Sequence, residues 1–123
     1  MIKVSINGLG RIGRAVVKSV LDHPDIQLVG INDLIPVENL AYLLKYDSVY
    51  GKYEKEVKFD NENLIIEGSK YRVYNEKNPA DLPWGQLQVD VVFECTGIFA
   101  KSEGLNKHID AGAKHAILSA PAK

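Results

Sequence analysis

One cysteine, one tryptophan, one methionine and no surplus of either charge characterise this 123-residue chain. Each shortage closes off a class of protein. A lone Cys95 cannot form an internal disulfide and suits a reducing compartment, the cytoplasm. A net charge of −1 provides no basic field for nucleic acid or an anionic membrane surface. No apolar run approaches the roughly 20 residues that a membrane span requires. Asn7, Gly8 and Arg11 break the first apolar stretch too early for a secretory signal peptide. Internal repeats and low-complexity linkers are absent from the sequence. What remains is an ordinary globular composition, 46% hydrophobic and 25% charged. A chain of this length forms one domain and buries about two thirds of its unfolded surface.

The most informative stretch is the first thirteen residues and the helix they launch. Ile2, Val4 and Ile6 alternate with Lys3 and Ser5, the period of a strand. Asn7-Gly8-Leu9-Gly10-Arg11-Ile12-Gly13 follows, with glycines spaced G-x-G-x-x-G. Arg11 to His23 then carries apolar residues at helical spacing: Ile12, Ala15, Val16 and Val20. Gly8 allows a sharp exit from the strand, Gly10 lets a pyrophosphate approach the backbone, and Gly13 permits close helix packing. The helix begins with unpaired N–H groups and a partial positive charge, a cradle for phosphate. Three glycines alone can mark any strand-to-helix turn. Here a second strand, Ile26 to Asn32, ends about twenty residues on in Asp33, which makes the unit a dinucleotide fingerprint.

Further along, Pro36 precedes a helix over Val37 to Tyr46, and Tyr46 to Gly51 reads as an ordered loop. Glu56 to Phe59 and Leu64 to Ile66 flank an Asp-Asn-Glu-Asn turn, and Tyr71 to Tyr74 adds a strand. Their mixed apolar and charged pattern suits antiparallel elements with one wet face. Val89 to Cys95 is nearly continuous and apolar, as in a central parallel strand. A helix from Ser102 to about Asp110 and a strand over Ala116 to Leu118 complete the order. The fold class is α/β: a Rossmann-like, doubly wound, mainly parallel sheet with a small antiparallel insertion, occupying residues 1–123. Ligands of such sheets bind beyond the carboxyl ends of the strands, where the loops after Ile6, Asn32, Cys95 and Leu118 meet.

Asp33 is placed to accept hydrogen bonds from the adenosine ribose. A carboxylate about 4 Å from the 2′-phosphate of NADP, at an effective dielectric of about 20, implies repulsion of several kcal/mol. Leu34, Ile35 and Pro36 offer no compensating cation, so NAD is favoured. Thr96, Gly97 and Ser119 stand at strand ends, either lining the groove or serving as turn residues. Lys77 either approaches the adenine side or is a solvated charge. Cys95 sits in the apolar strand, where burial keeps a thiol protonated. His23, His108 and His115 fall at helix ends or strand starts, where solvated or structural roles are the default.

Several segments together resemble glyceraldehyde-3-phosphate dehydrogenase: Val4 to Arg14, Asn32-Asp33-Leu34, Leu43 to Ser48, Leu82-Pro83-Trp84, Glu94 to Gly97, and Leu118 to Pro121. The resemblance runs the length of the chain in the family's order. It implies backbone N–H groups of Arg11 and Ile12 on the pyrophosphate, Asp33 on the ribose, and Ser119 at the nicotinamide half. Asn7, Gly8, Gly10, Gly13, Lys77, Thr96 and Gly97 complete the implied cofactor set. Three departures stand out: Lys77 where arginine is usual, Leu9 for phenylalanine, and Tyr50 for histidine. Lys77 keeps the charge and loses the planar fork. The family's Ser-Cys-Thr-Thr-Asn segment and the histidine that follows it are not in these residues, so the resemblance implies a nucleotide-binding portion without its catalytic domain. The parent it implies is a cytoplasmic homotetramer that uses NAD, glyceraldehyde 3-phosphate and inorganic phosphate. The alternatives are an isolated NAD-binding module and the sister erythrose-4-phosphate dehydrogenase, from which Asn32-Asp33 and Ser119-Ala120-Pro121 lean away.

Overall fold

A computed structural model describes residues 1–47, 51–96 and 102–118. Strand β1 (Ile2–Asn7) leads through the glycine turn into helix α1 (Arg11–Leu21) and parallel strand β2 (Ile26–Asn32). Helix α2 (Val37–Lys45) follows. Next comes a short antiparallel ribbon of β3 (Tyr46–Asp47) and β4 (Gly51–Lys52), where the pattern predicted a loop. The insertion is a meander of β5 (Val57–Phe59), β6 (Asn63–Ile66) and β7 (Ser69–Tyr74). A 3-10 turn, Pro79–Asp81, returns the chain to β8 (Val91–Glu94), helix α3 (Ser102–Asp110) and β9 (His115–Leu118). Among the described residues the strands form one seven-stranded sheet, β5-β6-β7-β2-β1-β8-β9, beside the separate ribbon.

Strand β8 is shorter than the apolar run that signalled it. It ends at Glu94, so Cys95 lies just beyond the strand rather than inside it. The thiol residue is buried all the same, with its N–H donated to the Asn7 carbonyl. The pleat sorts the side chains of β1 and β8. Val4, Ile6, Val91 and Phe93 join the core that also takes Val17 and Val20 of α1 and Leu40 and Leu44 of α2. Val92 faces the other way, into a second cluster with Leu82, Trp84, Val89 and Ala113. Burying side chains such as Ile6, Leu40 and Trp84 contributes roughly 1.5–3 kcal/mol each, and supplies most of what holds the layers together.

Register decides the rest. Asn7 pairs with Asn32 on one side and with Glu94 on the other, so the last residues of β2, β1 and β8 form one row across the sheet. The row ahead of it is apolar, Ile31, Ile6 and Phe93. The sheet thus turns polar at its carboxyl edge, one residue before the chain leaves each strand.

Candidate functional site

The glycine turn has steric reasons for two of its glycines and none for the third. Gly8 has φ +97°, and a Cβ there would lie 2.7 Å from Thr96 Cγ2. A Cβ on Gly13 would sit 1.9 Å from the Gly8 carbonyl oxygen, so the close approach is to the turn itself. A Cβ on Gly10 would meet nothing within 4 Å. None of the described residues requires glycine at that position.

The mouth of α1 favours a negative charge. Gly10 is its N-cap, no side chain caps it, and no acidic residue lies in its first turn. The N–H groups of Arg11 and Ile12 have no acceptor within the helix and share its positive end. Arg14 steadies the turn from behind, donating from Nη1 to the Leu9 carbonyl at 3.2 Å.

Asp33 braces the same turn from β2. Its Oδ2 accepts the Leu9 N–H at 2.7 Å and its Oδ1 accepts the Ile35 N–H at 2.9 Å. Four bonds then tie the end of β7 and the segment after it to this strand end. The Asp33 N–H donates to the Tyr74 carbonyl and Asn75 Nδ2 donates to the Asp33 carbonyl. Asn32 reads the backbone of Glu76 at both ends, accepting its N–H at 2.9 Å and donating to its carbonyl at 2.9 Å. This brings Lys77, an exposed residue just beyond the insertion, to the lip of the groove.

The groove itself has a volume of about 520 Å³ and runs across the carboxyl edge of the sheet. Asn7, Gly8, Gly10, Asp33, Lys77 and Thr96 line it together. Cys95 belongs to its lining, and the exposed Leu34 and Ile35 give it one apolar rim. The side chains of Arg11 and Ile12 do not join it. Both residues line a separate apolar groove along α1, with Val16, Val20 and Phe93. Gly13 is buried and does not line the groove. Gly97, Ser119 and Tyr50 lie outside the described residues.

Beneath the groove is a polar cluster that sequence reasoning did not assemble. Asn32 Nδ2 donates to Asn7 Oδ1 at 2.8 Å, and Asn7 Nδ2 donates to Glu94 Oε1 at 2.6 Å. His108 Nε2 also meets Glu94 Oε1, at 2.8 Å, and Trp84 Nε1 donates to His108 Nδ1 at 3.0 Å. Thr96 gives the other carboxylate oxygen, Oε2, both its N–H at 2.9 Å and its hydroxyl at 2.6 Å. An indole N–H can only donate, so His108 is neutral with its proton on Nε2. The contact with Glu94 is therefore a hydrogen bond and not an ion pair. Glu94 and His108 are both fully buried. Burial pushes the Glu94 carboxyl up, but donors from His108, Thr96 and Asn7 together outweigh it and hold the group below its usual value. Of the two roles left open for His108, solvated or structural, burial and these hydrogen bonds give the structural one. The sequence carried little signal for this cluster, because the pattern ended the first strand at Ile6 and ran the apolar strand on through Cys95, so neither Asn7 nor Glu94 stood out as a strand end.

An uncapped helix mouth, a glycine with no steric need to be one, and an acid at the end of β2 are the parts of a dinucleotide cradle. The family described as "Glyceraldehyde 3-phosphate dehydrogenase, NAD binding domain" matches residues 2–102. This chain belongs to that family. The NAD-binding domain is 52% identical over 122 residues to glyceraldehyde-3-phosphate dehydrogenase 1 of Trichormus variabilis, covering 99% of this chain and 36% of that protein. It is 53% identical over 125 residues to glyceraldehyde-3-phosphate dehydrogenase of Bacteroides fragilis, covering 100% and 38%. Against the Geobacillus stearothermophilus protein of the same name it is 50% identical over 122 residues, covering 99% and 36%. The chain thus spans a little over a third of the length of these relatives. Among the described residues no helix is long and apolar enough to cross a membrane, and no three His, Cys, Asp or Glu side chains cluster as metal ligands.

Proposed function

We propose that the groove holds NAD with its pyrophosphate at the mouth of α1 and its adenosine ribose on Asp33. The observation that carries this reading is the open space where a Gly10 Cβ would stand, in front of a helix end without a side-chain cap. The Arg11 and Ile12 N–H groups would bind the phosphate oxygens. Each Asp33 oxygen accepts one backbone N–H and keeps lone-pair capacity for a ribose hydroxyl. Leu34 and Ile35 offer an apolar rim to the adenine, and Lys77 a positive charge beside it. Thr96 and Gly97 flank the middle of the cofactor, and Ser119 its nicotinamide half. NADP is disfavoured because its 2′-phosphate would meet the Asp33 carboxylate.

On this reading the 123 residues are the nucleotide-binding part of a phosphorylating glyceraldehyde-3-phosphate dehydrogenase of glycolysis, a cytoplasmic homotetramer. Bound NAD supplies the hydride acceptor. The residues described above bind and orient it, and the catalytic cysteine and histidine lie outside them. The identity to dehydrogenases of that name supports this over the sister erythrose-4-phosphate enzyme. The test is a calorimetric titration of the full-length protein with NAD and with NADP, beside an assay for NADH formed from glyceraldehyde 3-phosphate and inorganic phosphate. Preference for NADP would refute the Asp33 assignment. Turnover by the 123 residues alone would refute the separation of binding from catalysis.

A further inference from the structure

We propose that Glu94, which does not reach the groove surface, is a positioning residue for the cofactor site. The inference rests on NAD occupying the groove described above. One carboxylate spans the gap between two groove walls. Its Oε1 holds Asn7, the last residue before the glycine turn, and its Oε2 holds the N–H and hydroxyl of Thr96. Those walls touch: a Cβ on Gly8 would lie 3.0 Å from the Thr96 nitrogen. Asn7 in turn accepts from Asn32, which clamps the backbone of Glu76 beside Lys77. The positions of Asn7, Thr96 and the Lys77 lip therefore depend on one buried group with four donors among the described residues.

The donor and acceptor directions of this chain cannot reverse. At one end the Trp84 indole only donates, which sets the His108 tautomer. At the other, Glu76 presents both an N–H and a carbonyl to the Asn32 amide, which sets its orientation. A glutamine at 94 is nearly isosteric, yet neither rotamer satisfies the site. With its NH₂ toward Oε1's position it opposes Asn7 Nδ2 and His108 Nε2–H. With its NH₂ toward Oε2's position it opposes the Thr96 N–H. Either way a groove wall loses its anchor, although no atom that could touch NAD has been changed.

The test measures NAD dissociation constants of the full-length protein by calorimetry, at a temperature where circular dichroism shows each variant folded. Glu94→Gln is expected to weaken NAD about tenfold, the effect of one opposed buried hydrogen bond. Trp84→Phe removes the far end of the network and leaves the Asn7 and Thr96 anchors in place. It is expected to lower the melting temperature and keep the NAD constant within about twofold. A folded Glu94→Gln protein with unaltered affinity overturns the proposal. So does a Trp84→Phe protein that loses as much affinity as Glu94→Gln, because affinity would then follow general stability. If Glu94→Gln does not fold, Glu94→Asp decides: it keeps the buried charge and draws the carboxylate back by one methylene from the Asn7 and Thr96 donors. A loss of about threefold supports the anchor, and unchanged affinity overturns it. Absence of NAD binding by the unsubstituted protein overturns the groove assignment itself, a result separable from these.

Discussion

The Leu9 N–H donates to Asp33 Oδ2 at 2.7 Å, so the acid at the end of β2 holds the glycine turn that follows β1. A residue that sequence motifs assign to a ribose is also part of the turn's own framework. Asp33→Ala is therefore expected to act twice. It should weaken NAD while making NADP less disfavoured, and it should cost about 1–3 kcal/mol of stability by leaving the Leu9 and Ile35 N–H groups unpaired. Calorimetry with both nucleotides reads the first effect and urea unfolding the second. Unchanged discrimination between the nucleotides would remove Asp33 from the ribose.

The glycines of the turn separate folding from binding. Gly13→Ala must move the Gly8 carbonyl, which lies 1.9 Å from the new Cβ, and should destabilise by more than about 3 kcal/mol. Gly10→Ala meets open space and should cost no more than about 1 kcal/mol, the preference of an N-cap for glycine over alanine. Its effect on NAD should be large, at least about tenfold, because the methyl stands where the pyrophosphate approaches. Thermal melts and calorimetry on the two variants should thus give opposite rankings. A Gly10→Ala protein that binds NAD normally would refute the cradle.

Acid should loosen the network beneath the groove. Glu94 is held below its usual value of 4.5 in the folded chain, and its unfolded counterpart titrates near that value. The folded state thus binds fewer protons, and the stability from Glu94 is fully present above about pH 4.5. It is lost as the pH falls below that value and through the folded one. Unfolding free energies measured in urea between pH 7 and pH 3 should decline over that window, and the decline should be shallower in Glu94→Gln. An equally steep slope in both proteins would show that other carboxylates carry it.

Lys77 should contribute as an exposed charge does, modestly and with a dependence on salt. Lys77→Ala is expected to weaken NAD about two- to fivefold at low ionic strength, and less as salt is raised. Titrations at two salt concentrations check this. A salt-independent loss would mean that the side chain packs rather than pairs.

The cradle was legible because its requirements are local. Glycine spacing, strand alternation over Ile2 to Ile6 and helical spacing after Arg11 all lie within about twenty residues. The ribbon at Tyr46–Asp47 and Gly51–Lys52 was not, since two-residue strands have no period to detect. Nor was the true end of β8. The apolar run continues through Cys95 because that residue is buried beyond the strand, not within it.

The order of the main strands and helices, the glycine turn and the acid that follows β2 were determined by the sequence itself. Side-chain period and the steric demands of glycine act between near neighbours in the chain. Which polar residues meet was decided only by tertiary structure. Asn7 and Glu94 are 87 positions apart and became partners through the parallel register of β1 and β8, with α3 adding His108 and the loop before β8 adding Trp84. A hydrophobic period reports which face of a strand is buried. The alignment of one strand against another depends on packing across the whole sheet, and that alignment put a carboxylate under the groove.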